Sequence, residues 1–405
     1  MSACAGEEEK MMRRAVVVDV VRSPFTKGRE NGALFGVHPV DLLAGVLDAL
    51  QQRTGVDPAD VDDVIAGCVL PVGEQSGNIA RHALLAAGWP EHVPATTIDR
   101  KCGSAQQAVQ FAAQAVATGE QDVVVAAGVD MMSTVPMRAN RLGRDDLGPR
   151  LRMRYPDGMV HQGISAELVA ARWGIGREES DQWSLRSHLR AAAAQRAGTL
   201  TRQIAPVCRP DGTVVETDEG IRPDTSLEAL AKLRPAFYDQ QAEERHPEIR
   251  WVVTAGSSSQ VSDGASAVLI VAEEMAQRME LRPRAALVHG AVVGVDPVLM
   301  LHGVIPATQR VLERTGLAID DIAVAEVNEA FAPVVLAWLR ATGADPERVN
   351  VHGGAIAFGH PVGASGGRLL ASLLDALEIR QQRYGLLTMC ESGGMANATV
   401  LERLG

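Results

Sequence analysis

VDDVIAG at residues 61–67 returns as IDDIAVA at 319–325, with Asp62 meeting Asp320 at an offset of 258. Carried forward, that offset lays Cys102 on His360. Each is followed by a Gly/Ser turn, an Ala/Leu-rich helical stretch and an apolar run, VVVAAG in one half and GLLTMC in the other. A register kept through strand, helix and strand is the mark of a duplicated α/β unit. Two copies related by a pseudo-twofold bring equivalent loops together, which predicts Cys102 and His360 at one cleft.

Outward from the repeat, β-branched runs alternate with helical spacing. AVVVDVV (15–21), VDDVIAGCVL (61–70) and DVVVAAGV (122–129) read as strands. Helices are predicted at 40–55, ended by Gly55, at 78–88, and at 104–119, with Ser104 at the start and Gly119 at the end. Such alternation implies βαβ units and a mostly parallel sheet. From 130 to 250 strand signals thin out and charge, Pro and Gly rise, so this stretch reads as a large insertion. Arg138, Arg141, Arg144, Arg150, Arg152 and Arg154 crowd together there; with Asp145, Asp146 and Asp157 nearby, a solvated loop face accounts for them as well as a phosphate or partner contact does. WVVTAG (251–256) resumes the alternation. The expected organisation is 1–129 with 251–276 as one domain, 130–250 as a substrate-binding loop insertion, and 277–405 as the second domain.

The 405 residues are 46% hydrophobic and 22% charged, a globular balance. With 39 Lys+Arg against 50 Asp+Glu the net charge is −11, which offers no electrostatic footprint for nucleic acid or an anionic membrane. Cys4, Cys68, Cys102, Cys208 and Cys390 are widely spaced, with no CxxC pair or zinc-ligand spacing. They point to a reduced, cytoplasmic protein without a metal site. MSACAGEEEKMMRR lacks the pattern of a signal segment, and no run of eighteen uncharged apolar residues is present.

Cys102, in TTIDRKCGSAQQA, stands where an extended segment enters a helix, and the positive end of the helix dipole favours a thiolate there. A buried structural cysteine is the competing reading. His360 lies in the glycine-rich NVHGGAIAFGHPVGASGGR (350–368), around a strand-like AIAF. A histidine there can act as base toward a thiol or be structural. Cys390 ends the apolar run GLLTM and precedes ESGGMAN, at a strand end where α/β folds place active sites. Asn328 and Glu329, in VAEVNEAFAP, open a helix, either as polar site residues or as a cap.

Together IDRKCGSA, VNEAFA, the GHPVGASGG block and the terminal MCESGGMANAT resemble the thiolases, acyltransferases acting on CoA thioesters, over nearly the whole chain. The resemblance implies a five-layered αβαβα fold of two duplicated domains plus a loop domain, in dimers or tetramers. It implies Cys102 as the acylated nucleophile, His360 as its activator, Cys390 as acid/base at the substrate α-carbon, and Asn328 as holder of a water in an oxyanion site. It further implies a second oxyanion hole formed by the backbone N–H groups of Cys102 and Ser392. His161, Arg222, Ala255, Ser259 and Phe331 match substrate- or CoA-contacting positions, with CoA as co-substrate and no bound cofactor. GVDMMSTVPM (128–137) resembles the family's dimer-interface segment. GEQSGNIAR and SSSQVSDGA resemble actinobacterial steroid- or lipid-degrading members more than short-chain biosynthetic ones. Three positions depart from the family pattern: Ala105 and Ser392 replace glycines, and His352 replaces an asparagine. If position 392 needs a positive φ, a serine there is strained. The activity implied is 3-ketoacyl-CoA thiolysis or the reverse condensation. The alternatives are a ketoacyl-synthase-like condensing enzyme and a non-catalytic CoA- or lipid-binding homologue.

Overall fold

The computed structural model describes residues 13–156 and 158–405, so Cys4, the acidic N-terminal stretch and Asp157 lie outside the described residues. The chain runs β1 (Ala15–Arg22), β2 (Thr26–Lys27), α1 (Pro39–Thr54), β3 (Asp63–Gly67), α2 (Ile79–Ala86), β4 (Ala95–Ile98), α3 (Ser104–Thr118) and β5 (Val123–Met131). Then come α4 (Gly148–Arg154), α5 (Gln162–Trp173), α6 (Arg177–Arg196), β6 (Val207–Cys208), β7 (Val214–Val215), α7 (Leu227–Ala231) and α8 (Gln240–Arg245). The remainder is β8 (Ser262–Ala272), α9 (Glu273–Arg278), β9 (Ala285–Gly294), α10 (Val304–Thr315), β10 (Val324–Val327), α11 (Ala332–Thr342), α12 (Ala355–Phe358), α13 (Ser365–Ile379), β11 (Tyr384–Glu391) and β12 (Met395–Arg403).

Strand order shows the duplication directly. The main sheet runs β10-β11-β12-β9-β1-β8-β5-β3-β4. Read outward from the β9/β1 junction, β9-β12-β11-β10 mirrors β1-β8-β5-β3. That junction is narrow, only Val16↔Ala286 and Val17↔Ala285. Helices α3 and α13 touch each other and strands of both halves, so they form a central layer. Helix α1 covers the outer face of the first half and α10 that of the second, which completes five layers. Strands covered on both faces must be apolar throughout. Accordingly β1, β5 and β8 are buried along their whole length.

Three expectations change. In each half a reversed strand, β8 or β12, is inserted among co-directional ones. Most ladders are therefore antiparallel, with β3/β4, β3/β5 and β10/β11 the parallel pairs. The structural repeat is also three residues longer than the motif match. Gly55 and Gly316, both left-handed caps, differ by 316 − 55 = 261; α3 and α13 begin at 104 and 365, and β5 and β11 at 123 and 384, with the same difference. The similar heptapeptides hold different places. In the first half a short 3-10 turn, Pro58–Asp60, precedes VDD, whereas in the second IDD itself is the turn, Ile319–Asp321. Cys102 therefore corresponds to Gly363. His360 nevertheless sits in the loop feeding α13 as Cys102 sits in the loop feeding α3, and the two loops converge.

AIAF is a helical turn, α12, and not a strand. Gly359 N–H donates to Ala355 O at 2.9 Å and Phe358 N–H to Gly354 O at 3.0 Å. Between β5 and β8, α5 and α6 pack on α11, and α6 also touches α12. Ile164, Leu168 and Trp183 from this segment share one core cluster with Val334, Leu336 and Trp338.

Candidate active site

The turn that carries Cys102 is tight. Gly103 N–H donates to Arg100 O at 3.1 Å and Ser104 N–H to Lys101 O at 3.0 Å. The Ser104 hydroxyl accepts from Arg100 N–H at 2.8 Å and donates to Lys101 O at 2.6 Å. Lys101 adopts φ 50°, a left-handed conformation that a side-chain-bearing residue holds only at some expense. The strain sits immediately before the thiol. On the other side of the cleft, His360 N–H donates to Gln260 O at 3.0 Å and Ser262 Oγ at 3.1 Å. Gly359, at φ 97° and against Ser262, has no room for a Cβ.

One carboxylate ties the two loops together. Asp130, at the end of β5, accepts from Val69 N–H (3.1 Å), Leu70 N–H (3.3 Å), Gln75 Nε2 (2.9 Å) and Gly363 N–H (2.7 Å). Burial raises its pKa to about 6 against those four donors, which leaves it charged at neutral pH. A Cβ on Gly363 would stand 2.5 Å from Asp130 Oδ2 and 2.7 Å from Val129 O, so position 363 requires glycine.

Cys102, His360, Ser392, His161, Ser259 and Phe331 line a single cavity of about 430 Å³. Asn328 is fully buried behind it, its Nδ2 3.5 Å from His360 Nε2 and its Oδ1 without a partner among the described residues. Cys390 is 1% exposed and close enough to Cys102 for their charges to interact. Arg222 and Ala255 do not line this cavity: Arg222 is exposed with its N–H donating to His188 Nδ1 at 3.2 Å, and Ala255 is exposed in a short 3-10 turn. A second cavity, about 400 Å³, lies elsewhere, but its Arg53 and Arg284 are already paired with Asp19 and Asp375.

The electrostatics favour a neutral resting site. Ser365 Oγ donates to Pro361 O at 2.9 Å, so at 2.6 Å it accepts from His360 Nδ1–H. That fixes the tautomer and leaves Nε2 as an acceptor. Burial, with Arg368 adding, lowers the His360 pKa to about 3. The helix dipole does not make Cys102 acidic, contrary to its sequence context. Burial dominates and pushes the thiol up to about 12, with Glu391 adding and the N–H groups of Cys102 and Ser392 pulling back. Burial, then Cys102, raises Cys390 well above its ordinary value. Among the described residues no hydrogen bond joins the Cys102 thiol to His360. Ionisation of the thiol therefore needs a base and a local donor, and the N–H of Ser392 is such a donor. Ser392 is not among the residues with positive φ, which here are Gly393 (87°) and Gly394 (80°). The strain expected of a serine at 392 is absent.

At the cavity, Phe237 carried no sequence signal. Phe237 stacks on His161 with centroids 5.4 Å apart and meets Phe331 edge-on at 5.6 Å. Met132, Met137, Val69 and Leu70 complete the apolar wall, and Arg138 also lines the cavity. Glu329 is not a helix cap. It accepts from Trp183 Nε1 (3.0 Å), Ser187 Oγ (2.6 Å), Asn350 Nδ2 (2.9 Å) and Ile356 N–H (3.2 Å), pinning α6 and α12 to the loop that bears Asn328.

Residues 15–274 match the thiolase N-terminal domain and residues 281–403 the thiolase C-terminal domain. The chain belongs to the thiolase family. The steroid 3-ketoacyl-CoA thiolase FadA6 of Mycobacterium tuberculosis is 48% identical over 402 residues, an alignment covering 97% of this chain and 95% of the relative. The 3-ketoacyl-CoA thiolases of Erwinia tasmaniensis and Pseudoalteromonas translucida are each 42% identical over 402 residues, covering 97% of this chain and all of theirs. This thiolase has, among its described residues, no helix long and apolar enough to cross a membrane.

Proposed function

We propose that this protein is a 3-ketoacyl-CoA thiolase that works through an acyl-enzyme on Cys102. The observation that carries the reading is that Cys102 and His360 line one apolar cavity, with Cys390 and Asn328 buried beside them, in a chain of this family. In thiolysis His360 Nε2 takes the Cys102 proton as the sulfur attacks the 3-keto carbon. Collapse of the adduct breaks the C2–C3 bond, and the departing acetyl-CoA enolate takes a proton from Cys390. CoA, deprotonated by Cys390, then attacks the acyl-enzyme and releases a shortened acyl-CoA, and His360 returns its proton to Cys102. Developing oxyanions are met by the N–H groups of Cys102 and Ser392 on one side. On the other, His360 and a water held by Asn328 serve the same purpose.

The wall of Phe237, Phe331, Met132, Met137, Val69 and Leu70 suits a long or bulky acyl chain, in keeping with the relative named for steroid 3-ketoacyl-CoA thiolysis. Residues 130–250, with His161 at the cavity, supply the substrate-binding insertion between two duplicated domains; Ser259, just after it, also lines the cavity, and Arg222 and Ala255 serve the outer part of CoA. CoA is a co-substrate and no cofactor is retained. The unbridged Cys68, Cys102, Cys208 and Cys390 support a reducing, cytoplasmic setting, and residues 128–137 a homo-oligomer. Steady-state CoA-dependent cleavage of acetoacetyl-CoA, a long linear 3-ketoacyl-CoA and a steroid-side-chain 3-ketoacyl-CoA tests the reading. Preference for the two larger substrates is expected; activity confined to acetoacetyl-CoA would overturn the degradative assignment.

A further inference from the structure

Glu391 ends β11, one residue past Cys390, with its side chain fully buried. Neither carboxyl oxygen has a hydrogen-bond partner among the described residues. Alternation along the strand explains where it points. Cys390 packs into the core of the second half, so Glu391 faces the opposite side, toward the start of α3. There it lies on the backbone of Gly103: a Cβ at residue 103 would overlap Glu391 Oε1 and stand 2.7 Å from Asn397 Nδ2. Asn397 Nδ2 donates to Gly103 O at 3.1 Å, while Asn397 Oδ1 is buried without a partner. The residue after Cys102 is thus clamped from behind by a carboxyl group and an amide, and both keep an unfilled acceptor.

The charges that bear on this carboxyl come from the loop ahead of α3, Arg100 and Asp99, and from the two thiols. Lys101 acts on Cys102 from the same loop. Arg100 makes no ion pair with Glu391; its Nη1 donates to Met395 Sδ at 3.8 Å. A buried carboxylate with no donor is strongly disfavoured, and the neutral acid brings an O–H into a place short of donors. Burial raises the pKa to about 8, with Arg100 pulling back and Asp99 adding.

We propose that Glu391 is a positioning residue of the acyl-transfer site: as a neutral acid it backs the Cys102 turn, and when ionised it opposes thiolate formation at Cys102 and Cys390. The inference rests on Cys102 being the nucleophile. The side chain touches neither substrate nor reacting atom; it acts through the Gly103 backbone and through its charge.

The test is the rate of iodoacetamide alkylation of Cys102, followed by peptide mapping from pH 6.5 to 10, in the full-length protein and in Glu391→Gln. The glutamine keeps the shape and cannot ionise. Below pH 7 the two rates should coincide. Above pH 8 the wild-type rate should climb less steeply, leaving Glu391→Gln on the order of fivefold faster by pH 9. The KM for a 3-ketoacyl-CoA should be unchanged while kcat shifts on the alkaline limb. Superimposable profiles on a labelled Cys102 would overturn the role of Glu391 and leave the nucleophile standing; absence of label at Cys102 would overturn both. Should the variant not fold, the wild-type profile decides, since an inflection near pH 8 is expected and a single-ionisation curve contradicts the proposal.

Discussion

Replacing Asp130 by alanine removes the acceptor shared by the cavity wall and the loop that follows His360. The carboxylate takes hydrogen bonds from Val69, Leu70, Gln75 and Gly363, and it is fully buried. A net contribution of about 1 kcal/mol per bond, with more where a donor is stranded away from water, gives a loss of about 4–6 kcal/mol. That is a large fraction of the 5–15 kcal/mol typical of a folded domain. Urea unfolding at pH 7, followed by tryptophan fluorescence, reads it as a drop in midpoint at unchanged slope. Asp130→Asn keeps one acceptor oxygen and should lose about half as much. Because Val69 and Leu70 wall the cavity and Gly363 N–H anchors the loop after His360, kcat/KM should fall with stability in both variants. A loss below about 1 kcal/mol for Asp130→Ala would mean that the two loops are held by something other than this carboxylate.

His360 is buried neutral, with a pKa near 3 against 6.5 for an exposed histidine. The unfolded chain therefore takes up a proton near pH 6.5 that the folded chain refuses until about pH 3, and stability falls by about 1.4 kcal/mol per pH unit across that window. Between pH 7 and pH 5, His360→Gln should lose about 2 kcal/mol less than the wild type in urea titrations; equal losses would show that the ring is not held neutral. Ser392→Gly should leave turnover and stability within about 0.5 kcal/mol, whereas Gly393→Ala, at φ 87°, should cost about 1 kcal/mol, both read by thermal melts. Phe237→Ala should lower kcat/KM for a long-chain 3-ketoacyl-CoA about tenfold more than for acetoacetyl-CoA. Equal losses would remove Phe237 from the acyl wall.

The duplication was legible because each half follows its hydrophobic-acidic heptapeptide with a Gly/Ser turn, an Ala/Leu-rich helix and an apolar run. Its register was not. Hydrophobic-acidic heptapeptides match by letter, but only backbone geometry shows that VDD follows a 3-10 turn while IDD is one. The inserted β8 and β12 escaped notice because a strand buried on both faces reads alike in either direction. Cys102, His360, Cys390 and Asn328 were readable as chemistry-bearing residues at element ends. What their neighbourhood does to them was not: burial overrides the helix dipole at Cys102, and the carboxyl behind Gly103 belongs to a strand nearly three hundred residues away. Phe237 carried no pattern at all, since its role comes from ring geometry with His161 and Phe331 across the insertion.

The central claim is a covalent acyl-enzyme on Cys102. Intact-protein and peptide mass spectrometry after brief mixing with a 3-ketoacyl-CoA, without free CoA, measures it directly. The account predicts an acyl adduct on the Cys102 peptide that disappears when CoA is added, and none in Cys102→Ser. An adduct on Cys390 alone, or full turnover by Cys102→Ser, would contradict it.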